Sequence, residues 1–305
     1  MDILTLSHVY KQFGNTKVIK DLSFSVSEHH VFGFIGKNGA GKTTTMKMIL
    51  GFLKMDSGEI CVCGERVTAG SPKANRYIGY LPDVPHFYPY MTPKEYLGLC
   101  GKISGLTADQ IDRRSRELLH LVGLDGISRR IRGFSRGMNQ RLGIAQALLG
   151  EPRLLICDEP TSALDPIGRK EILDILSIAK EKTTILFSTH ILSDVERICD
   201  TIGVLDNGHL VLEGKLEEIK NSYRQDQVLI SLADSSQNDL LIQRLSALSG
   251  IKGCTKQERD VIVRFTGAEK SKQAILRLLL EEGFSLIKFE LLEPSLENLF
   301  LEVVK

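Results

Sequence analysis

The stretch Gly36-Lys37-Asn38-Gly39-Ala40-Gly41-Lys42-Thr43-Thr44 decides the fold of this chain. It follows a short apolar run, Val31-Phe32-Gly33-Phe34-Ile35, and leads into a segment of helical composition from Lys42 to Leu53. Strand, glycine-rich turn and helix, in that order, are the setting the pattern G-x-x-x-x-G-K-[ST] requires. Each residue type has a physical reason to be there. The glycines let backbone N–H groups turn inward around phosphate oxygens without Cβ clashes. The helix N-terminus adds the positive end of its dipole. Lys42 offers a point charge to the β- and γ-phosphates, and the Thr43 hydroxyl suits Mg2+, which takes oxygen ligands. The whole turn, Gly36 through Thr44, is read as an ATP-binding loop.

Two further polar clusters sit at the ends of apolar strands. Leu154-Leu155-Ile156-Cys157 runs into Asp158-Glu159-Pro160, and Thr183–Phe187 runs into Ser188-Thr189-His190. Ligands bind beyond the carboxyl ends of strands in open α/β sheets. Asp158 is expected to hold Mg2+, directly or through water. Glu159 is expected to face the γ-phosphate and orient or polarise the attacking water. His190 is read as a γ-phosphate sensor. An acidic pair after an apolar run is common in loops; the phosphate loop upstream is what gives this one chemical meaning. Lys42, Glu159 and His190 are therefore the expected catalytic groups.

Outward from these motifs, strand-like and helix-like segments alternate over the first ~215 residues, which predicts an α/β domain with a mostly parallel sheet. Gly58–Val67 and Arg76–Leu81 read as strands. Thr92 and Thr107 open helices with capping boxes to Glu95 and Gln110. Asn207-Gly208 between apolar runs predicts a hairpin over Thr201–Gly214. The chain turns polar over Lys215–Gln227, and a boundary is placed at residue 218. Beyond it the order is strand Val228–Leu232, helix Ser236–Leu248, strand Ile251–Lys256, strand Asp260–Phe265, helix Glu269–Glu282 and strand Ser285–Leu291. That is the β-α-β-β-α-β order of a ferredoxin-like α+β domain. Ser295 is expected to cap a last helix, Leu296–Val303, with Leu296, Leu299, Phe300 and Val303 on one face.

Composition excludes several function classes. Hydrophobic residues make up 42% and charged residues 25%, ordinary for a globular protein with a real core. The net charge of +1 gives no reason to expect nucleic acid as a partner. None of the six cysteines (61, 63, 100, 157, 199 and 254) forms a CxxC pair, so reduced thiols used as small hydrophobes are expected. No leader peptide and no membrane span are expected from the sequence. A membrane role would run through a partner, from the cytoplasmic side.

One segment narrows the reading. Phe134-Ser135-Arg136-Gly137-Met138-Asn139-Gln140-Arg141-Leu142, ahead of the acidic strand, resembles the signature of the ATP-binding cassette (ABC) ATPases, usually written LSGGQxQRL. The resemblance covers roughly residues 1–220. It implies a P-loop NTPase cassette in residues 1–218, with a mixed sheet core and a helical subdomain over about 84–150. The small α+β accessory domain then occupies 219–305. It also implies that Ser135, Arg136, Gly137 and Met138, at the start of a helix beginning near Met138, reach the ATP held by a second protomer. Phe13 matches the aromatic that stacks on adenine. Ser162-Ala163-Leu164-Asp165 matches the dimer-contact loop, and His190 the switch histidine.

Three positions depart from the family pattern. Arg136 stands where Gly is usual and Met138 where Gln is usual. Asp83, in Gly79-Tyr80-Leu81-Pro82-Asp83, replaces the Gln that bridges Mg2+, the attacking water and the membrane subunit. Asp83 can accept from water or bind Mg2+, but it cannot donate as an amide does. The aromatic and Pro-rich stretch 84–92 is where the family touches its permease. A single cassette followed by a small domain and Glu293-Pro294-Ser295-Leu296-Glu297-Asn298-Leu299-Phe300 is similar to exporter ATPases with separately encoded permeases. These include bacteriocin, drug, sodium and bacitracin-resistance types. The expected partners are a second copy of the chain or a related ATPase, and an integral membrane permease. Two other readings stay open at this point: an ABC ATPase that does not transport, and a non-hydrolysing sensor paired with a competent partner.

Overall fold

The computed structural model describes residues 2–71, 73–222, 226–266, 268–292 and 296–303. The chain forms two compact units, one reaching to Leu216 and one over Glu217–Glu302. The first unit begins with two long strands, β1 (Asp2–Phe13) and β2 (Thr16–Ser27), then β3 (Val31–Ile35) and helix α1 (Lys42–Ile49). Strands β4 (Ser57–Val62), β5 (Glu65–Arg66) and β6 (Ile78–Leu81) precede helices α2 (Pro93–Ile103), α3 (Ala108–Leu121) and α4 (Arg136–Leu148). Then come β7 (Leu154–Asp158), α5 (Pro166–Ala179), β8 (Thr184–Thr189), α6 (Leu192–Ile198), β9 (Thr201–Asp206) and β10 (His209–Lys215).

These strands make two sheets. One is four-stranded and antiparallel, in the order β2-β1-β4-β5. The other is six-stranded, β10-β9-β3-β8-β7-β6, with β9, β3, β8, β7 and β6 parallel and β10 antiparallel at its edge. Its central strands β3, β7 and β8 are buried at every residue, as expected of a sheet covered on both faces. A single apolar cluster joins the two sheets and α1, with Met46 and Ile49 fully buried and Phe24 of β2 stacked on Phe32 and Phe34 of β3 at 5.1 and 5.4 Å between ring centroids. The carboxyl ends of β3, β6, β7 and β8 all lie at one end of the sheet, because the strands are parallel. That end receives the phosphate loop, Asp83, the Asp158–Glu159 pair and His190.

The second unit opens with α7 (Leu216–Ser222), whose first residue ends the first unit. It contains β11 (Asp226–Leu232), α8 (Asn238–Ser246), β12 (Ile251–Gln257), β13 (Asp260–Phe265), α9 (Ala268–Glu281) and β14 (Leu286–Leu292). The sheet order is β12-β13-β11-β14 with every neighbouring pair antiparallel, the ferredoxin-like arrangement expected from the order of elements. Alternate strand residues, Val228, Ile230, Val261 and Val263, meet helix residues at i, i+4 spacing, Leu241 with Leu245 and Ile275 with Leu279. The last helix is α10 (Leu296–Val303), with Leu296 and Leu299 buried. The expected cap Ser295 and the start of the closing segment, Glu293 and Pro294, fall outside the described residues.

Several boundaries differ from the sequence reading, each for a local reason. The helix expected to reach Leu53 stops at Ile49, since Gly51 turns left-handed at φ +70°. The strand expected over Gly58–Val67 is broken into β4 and β5 by Cys63 and Gly64, at φ +51° and +77°. Arg76 and Tyr77 belong to a 3-10 turn, Ala74–Tyr77, and the strand begins only at Ile78. The helix expected from Ser236 begins with a 3-10 turn, Ser235–Gln237, and is helical from Asn238. The signature helix starts at Arg136, two residues ahead of Met138, because Ser135 is its N-cap.

Candidate active site

The phosphate loop is built by two glycines with different tasks. Gly41 is at φ +113°, a conformation L side chains rarely adopt, and a Cβ there would come within 2.5 Å of Ile19 Cδ1. Gly36 lies so close to β9 that a Cβ would meet the Leu205 carbonyl oxygen at 2.5 Å. Lys42 opens α1 and is buried, at 6% exposure, with Nζ donating to the Gly36 carbonyl at 2.7 Å. Thr45, one position past the motif, is also buried and donates its hydroxyl to the Gly41 carbonyl at 3.0 Å.

Beside the loop is a cavity of about 300 Å3. Asn38, Gly39, Gly41, Lys42, Thr43 and Thr44 line it from the loop, and Asp83, Glu159, Ser162 and His190 from the neighbouring strand ends. Residues as far apart in sequence as Val18 and His190 are thus brought to one mouth. Val18 of β2 also lines it; nothing in its apolar strand context marks it as a site residue. Gly36, Ala40 and Asp158 are buried and do not line it, and Lys37 is exposed outside it. Phe13 ends β1, about half exposed, with Lys11 Nζ 5.1 Å from its ring centroid; it is not part of the cavity lining.

The charged groups in the cavity are already paired. Lys42 Nζ is 3.4 Å from Glu159 Oε1, and His190 Nδ1 is 2.8 Å from Glu159 Oε2. A carboxylate only accepts, so Nδ1 carries the proton and donates to Glu159, leaving Nε2 free. Glu159 itself is at φ +49° and Ala163 at φ +52°, two left-handed non-glycine residues in one loop. Such strain persists only where surrounding contacts over-determine it. Here the Glu159 N–H donates to both the Ser188 carbonyl at 3.1 Å and the Ser188 hydroxyl at 3.2 Å. The same hydroxyl donates to Asp158 Oδ1 at 2.7 Å, which leaves the second oxygen of that buried acid for another ligand.

Asp83 and the signature helix meet within this chain. Arg136 Nη2 donates to Asp83 Oδ1 at 3.3 Å, and fully buried Gln140 donates its amide to the Asp83 backbone carbonyl. Two residues one helical turn apart on α4 therefore grip Asp83 by side chain and main chain. Two of the three departures from the family pattern, Asp83 and Arg136, form one ion pair. Ser135 caps α4 by accepting from the Met138 N–H at 3.2 Å. Met138 is buried in its own chain, with Arg129 Nη2 2.7 Å from its sulfur. Ser135, Arg136, Gly137 and Met138 do not line the cavity.

Sequence reasoning missed one buried ionic group. Asp194 of α6 is 3% exposed and is bonded to Thr161 and Arg169. An acid in a short amphipathic helix otherwise reads as part of a solvated face, and only the folded arrangement brings its partners to it.

Phosphate loop, acidic strand end, histidine strand end and a capped Ser-x-Gly helix on a mixed sheet define the class of ABC ATPases, and the chain belongs to the ATP-binding proteins of ABC transporters. The profile of the ABC transporter family matches residues 19–162, and that of the C-terminal domain of DrrA1-3-like ATP-binding proteins matches 214–304. The chain is 36% identical to the bacitracin transport ATP-binding protein BcrA of Bacillus licheniformis over 306 residues, covering 99% of this chain and 97% of the relative. It is 33% identical to the linearmycin resistance ATP-binding protein LnrL of Bacillus subtilis over 305 residues, covering 99% and 98%. A solved ATP-binding subunit of an ABC transporter superposes with a TM-score of 0.66 at 34% identity, covering 72% of this chain and 93% of that one. The chain is accordingly the ATP-binding, ATPase subunit of an ABC transporter. Among the described residues no helix is long and apolar enough to cross a membrane.

Proposed function

We propose that the cavity binds ATP with Mg2+, that two protomers close on it, and that the cycle drives export through a permease at the cytoplasmic face of the membrane. The observation that carries the chemistry is the meeting of Lys42, Glu159 and His190 at one cavity mouth, with contacts of 3.4 and 2.8 Å. In this reading the loop N–H groups between Gly36 and Thr44 take the β- and γ-phosphates, and Lys42 transfers its charge from Glu159 to them. Phosphoryl transfer is governed by positioning and charge stabilisation, which is what such a loop supplies. A divalent cation, held by Thr43 and the free oxygen of Asp158, would add positive charge on the phosphate oxygens.

Freed from Lys42, Glu159 turns to the attacking water and takes its proton as the water oxygen bonds the γ-phosphorus and the bond to the ADP oxygen breaks. In its doubly protonated form His190 holds Glu159 through Nδ1–H and donates Nε2–H to a phosphoryl oxygen. Ser135–Met138 of each protomer completes the partner's site, with Ser162–Asp165 at the dimer contact; a head-to-tail pair of identical chains then makes two equivalent sites. Nucleotide chemistry is assigned to residues 1–218 and an accessory role to 219–305. The exposed aromatic stretch after Asp83, where Tyr88 and Tyr90 lie 5.8 Å apart, is assigned to the permease. Export is supported by the bacitracin and linearmycin relatives. Lys42→Ala tests the nucleotide assignment: calorimetry is expected to show ATP binding lost, and an unchanged affinity contradicts it.

A further inference from the structure

The Asp194 carboxylate spans a loop. Its Oδ2 accepts from the Thr161 hydroxyl at 2.7 Å and its Oδ1 from Arg169 Nη2 at 2.7 Å. Thr161 and Arg169 are the two ends of the segment that contains Ser162–Asp165, so one buried side chain closes that segment at both sides. The interior is fixed as well. Asp165 Oδ1 accepts from the Gly168 N–H at 2.9 Å, and the Arg169 N–H donates to the Asp165 carbonyl at 2.9 Å. Toward the cavity, the Ser162 N–H donates to the Glu159 carbonyl at 3.0 Å, tying the loop directly to the strained residue. Asp194 stands four positions beyond His190, and its own N–H donates to the Ile191 carbonyl at 3.2 Å. The carboxylate therefore links three pieces: the segment after Glu159, the start of α5, and the helix that follows His190.

We propose that Asp194 is a positioning residue for hydrolysis, whose clasp on Thr161 and Arg169 holds Glu159 and the 162–165 loop in the geometry that attack requires. The proposal rests on the reading of Glu159 as the group that acts on water. Glu159 is held on its N-terminal side by Ser188 and on its C-terminal side by the clasped loop. A left-handed glutamate released from one side relaxes toward ordinary backbone angles and moves its carboxylate. Displacement of a reacting group by about 1 Å costs up to about 10²-fold in rate. Neither Thr161 nor Asp194 lines the cavity, so nucleotide affinity is left alone.

Thr161 gives the cleanest test, because Thr161→Val keeps the shape and removes the hydroxyl, while Arg169 still neutralises the buried acid. In the full chain, Thr161→Val is expected to lower kcat by roughly 10- to 100-fold with KM and calorimetric ATP affinity within about twofold. Thr161→Ser, which restores the hydroxyl, is expected to recover turnover. Asp194→Asn combined with Thr161→Val should be no worse than the more impaired single variant, since both undo one clasp. Wild-type turnover in Thr161→Val, equal impairment in Thr161→Ser, or losses that multiply would each overturn the proposal. If Asp194→Asn does not fold, the Val and Ser variants decide alone. Slow hydrolysis in Glu159→Gln alongside normal hydrolysis in Thr161→Val removes the clasp and spares the catalytic reading; retained hydrolysis in Glu159→Gln removes the reading itself.

Discussion

Gly41 illustrates how much chemistry a single backbone position carries. Its φ of +113° aims the loop N–H groups, and its missing side chain leaves room for Ile19. Gly41→Ala is expected to lower stability by about 1–3 kcal/mol in urea unfolding, from strain alone, and to abolish ATP binding. Cysteine chemistry is decided at the same scale. Burial, with the Asp158 charge adding to it, pushes the Cys157 thiol far above its ordinary value. Burial, with Asp200 and Asp194 beside it, does the same for Cys199. A thiol reagent at neutral pH should leave both unmodified until the protein unfolds, since the thiolate is the reactive form; modification in the native state would contradict their burial. All six cysteines are free, as the absence of paired spacing implied. Some residue-level facts were beyond the sequence. The Arg136–Asp83 pair joins positions 53 apart, and the Asp194 clasp joins three elements that no local pattern links.

At the scale of elements, four of the described helices begin with the same device. Thr92, Thr107, Ser135 and Asp165 each accept from an N–H three residues on. Losing such a cap costs about 0.5–2 kcal/mol. Thr92→Ala and Ser135→Ala are therefore expected to destabilise alike, but only Ser135→Ala should slow ATP hydrolysis, because only α4 is assigned a place in the partner's site. Equal turnover in the two variants would reduce Ser135 to a structural cap. The capping boxes at Thr92 and Thr107 were legible because Glu95 and Gln110 stand at the required spacing. The strands β1 and β2 were not. Their pairing carries four register shifts, and the burial along β1 does not alternate cleanly, whereas Leu22, Phe24 and Val26 of β2 do alternate with less buried neighbours. β1 is held between β2 and the sequence-distant β4, and β2 by β1.

Across the whole molecule, the order of elements was more informative than their boundaries. Strand–loop–helix at residues 31–49 and apolar runs at 154–158 and 184–189 placed three site-bearing strands in one parallel sheet. The β-α-β-β-α-β order beyond residue 226 is matched by the sheet order β12-β13-β11-β14. The meeting of Lys42, Glu159 and His190 follows from that parallel sheet. The loop that supports Glu159 depends on tertiary contacts the sequence does not display. The most direct measurement of the central claim is turnover and assembly of Glu159→Gln with saturating Mg-ATP. Hydrolysis is expected to fall by about 10²–10⁴-fold, the usual worth of a positioned acid–base group, while sedimentation velocity finds a dimer that persists only with ATP. Turnover retained near the wild-type rate, or a monomer that binds ATP without assembling, would contradict the account.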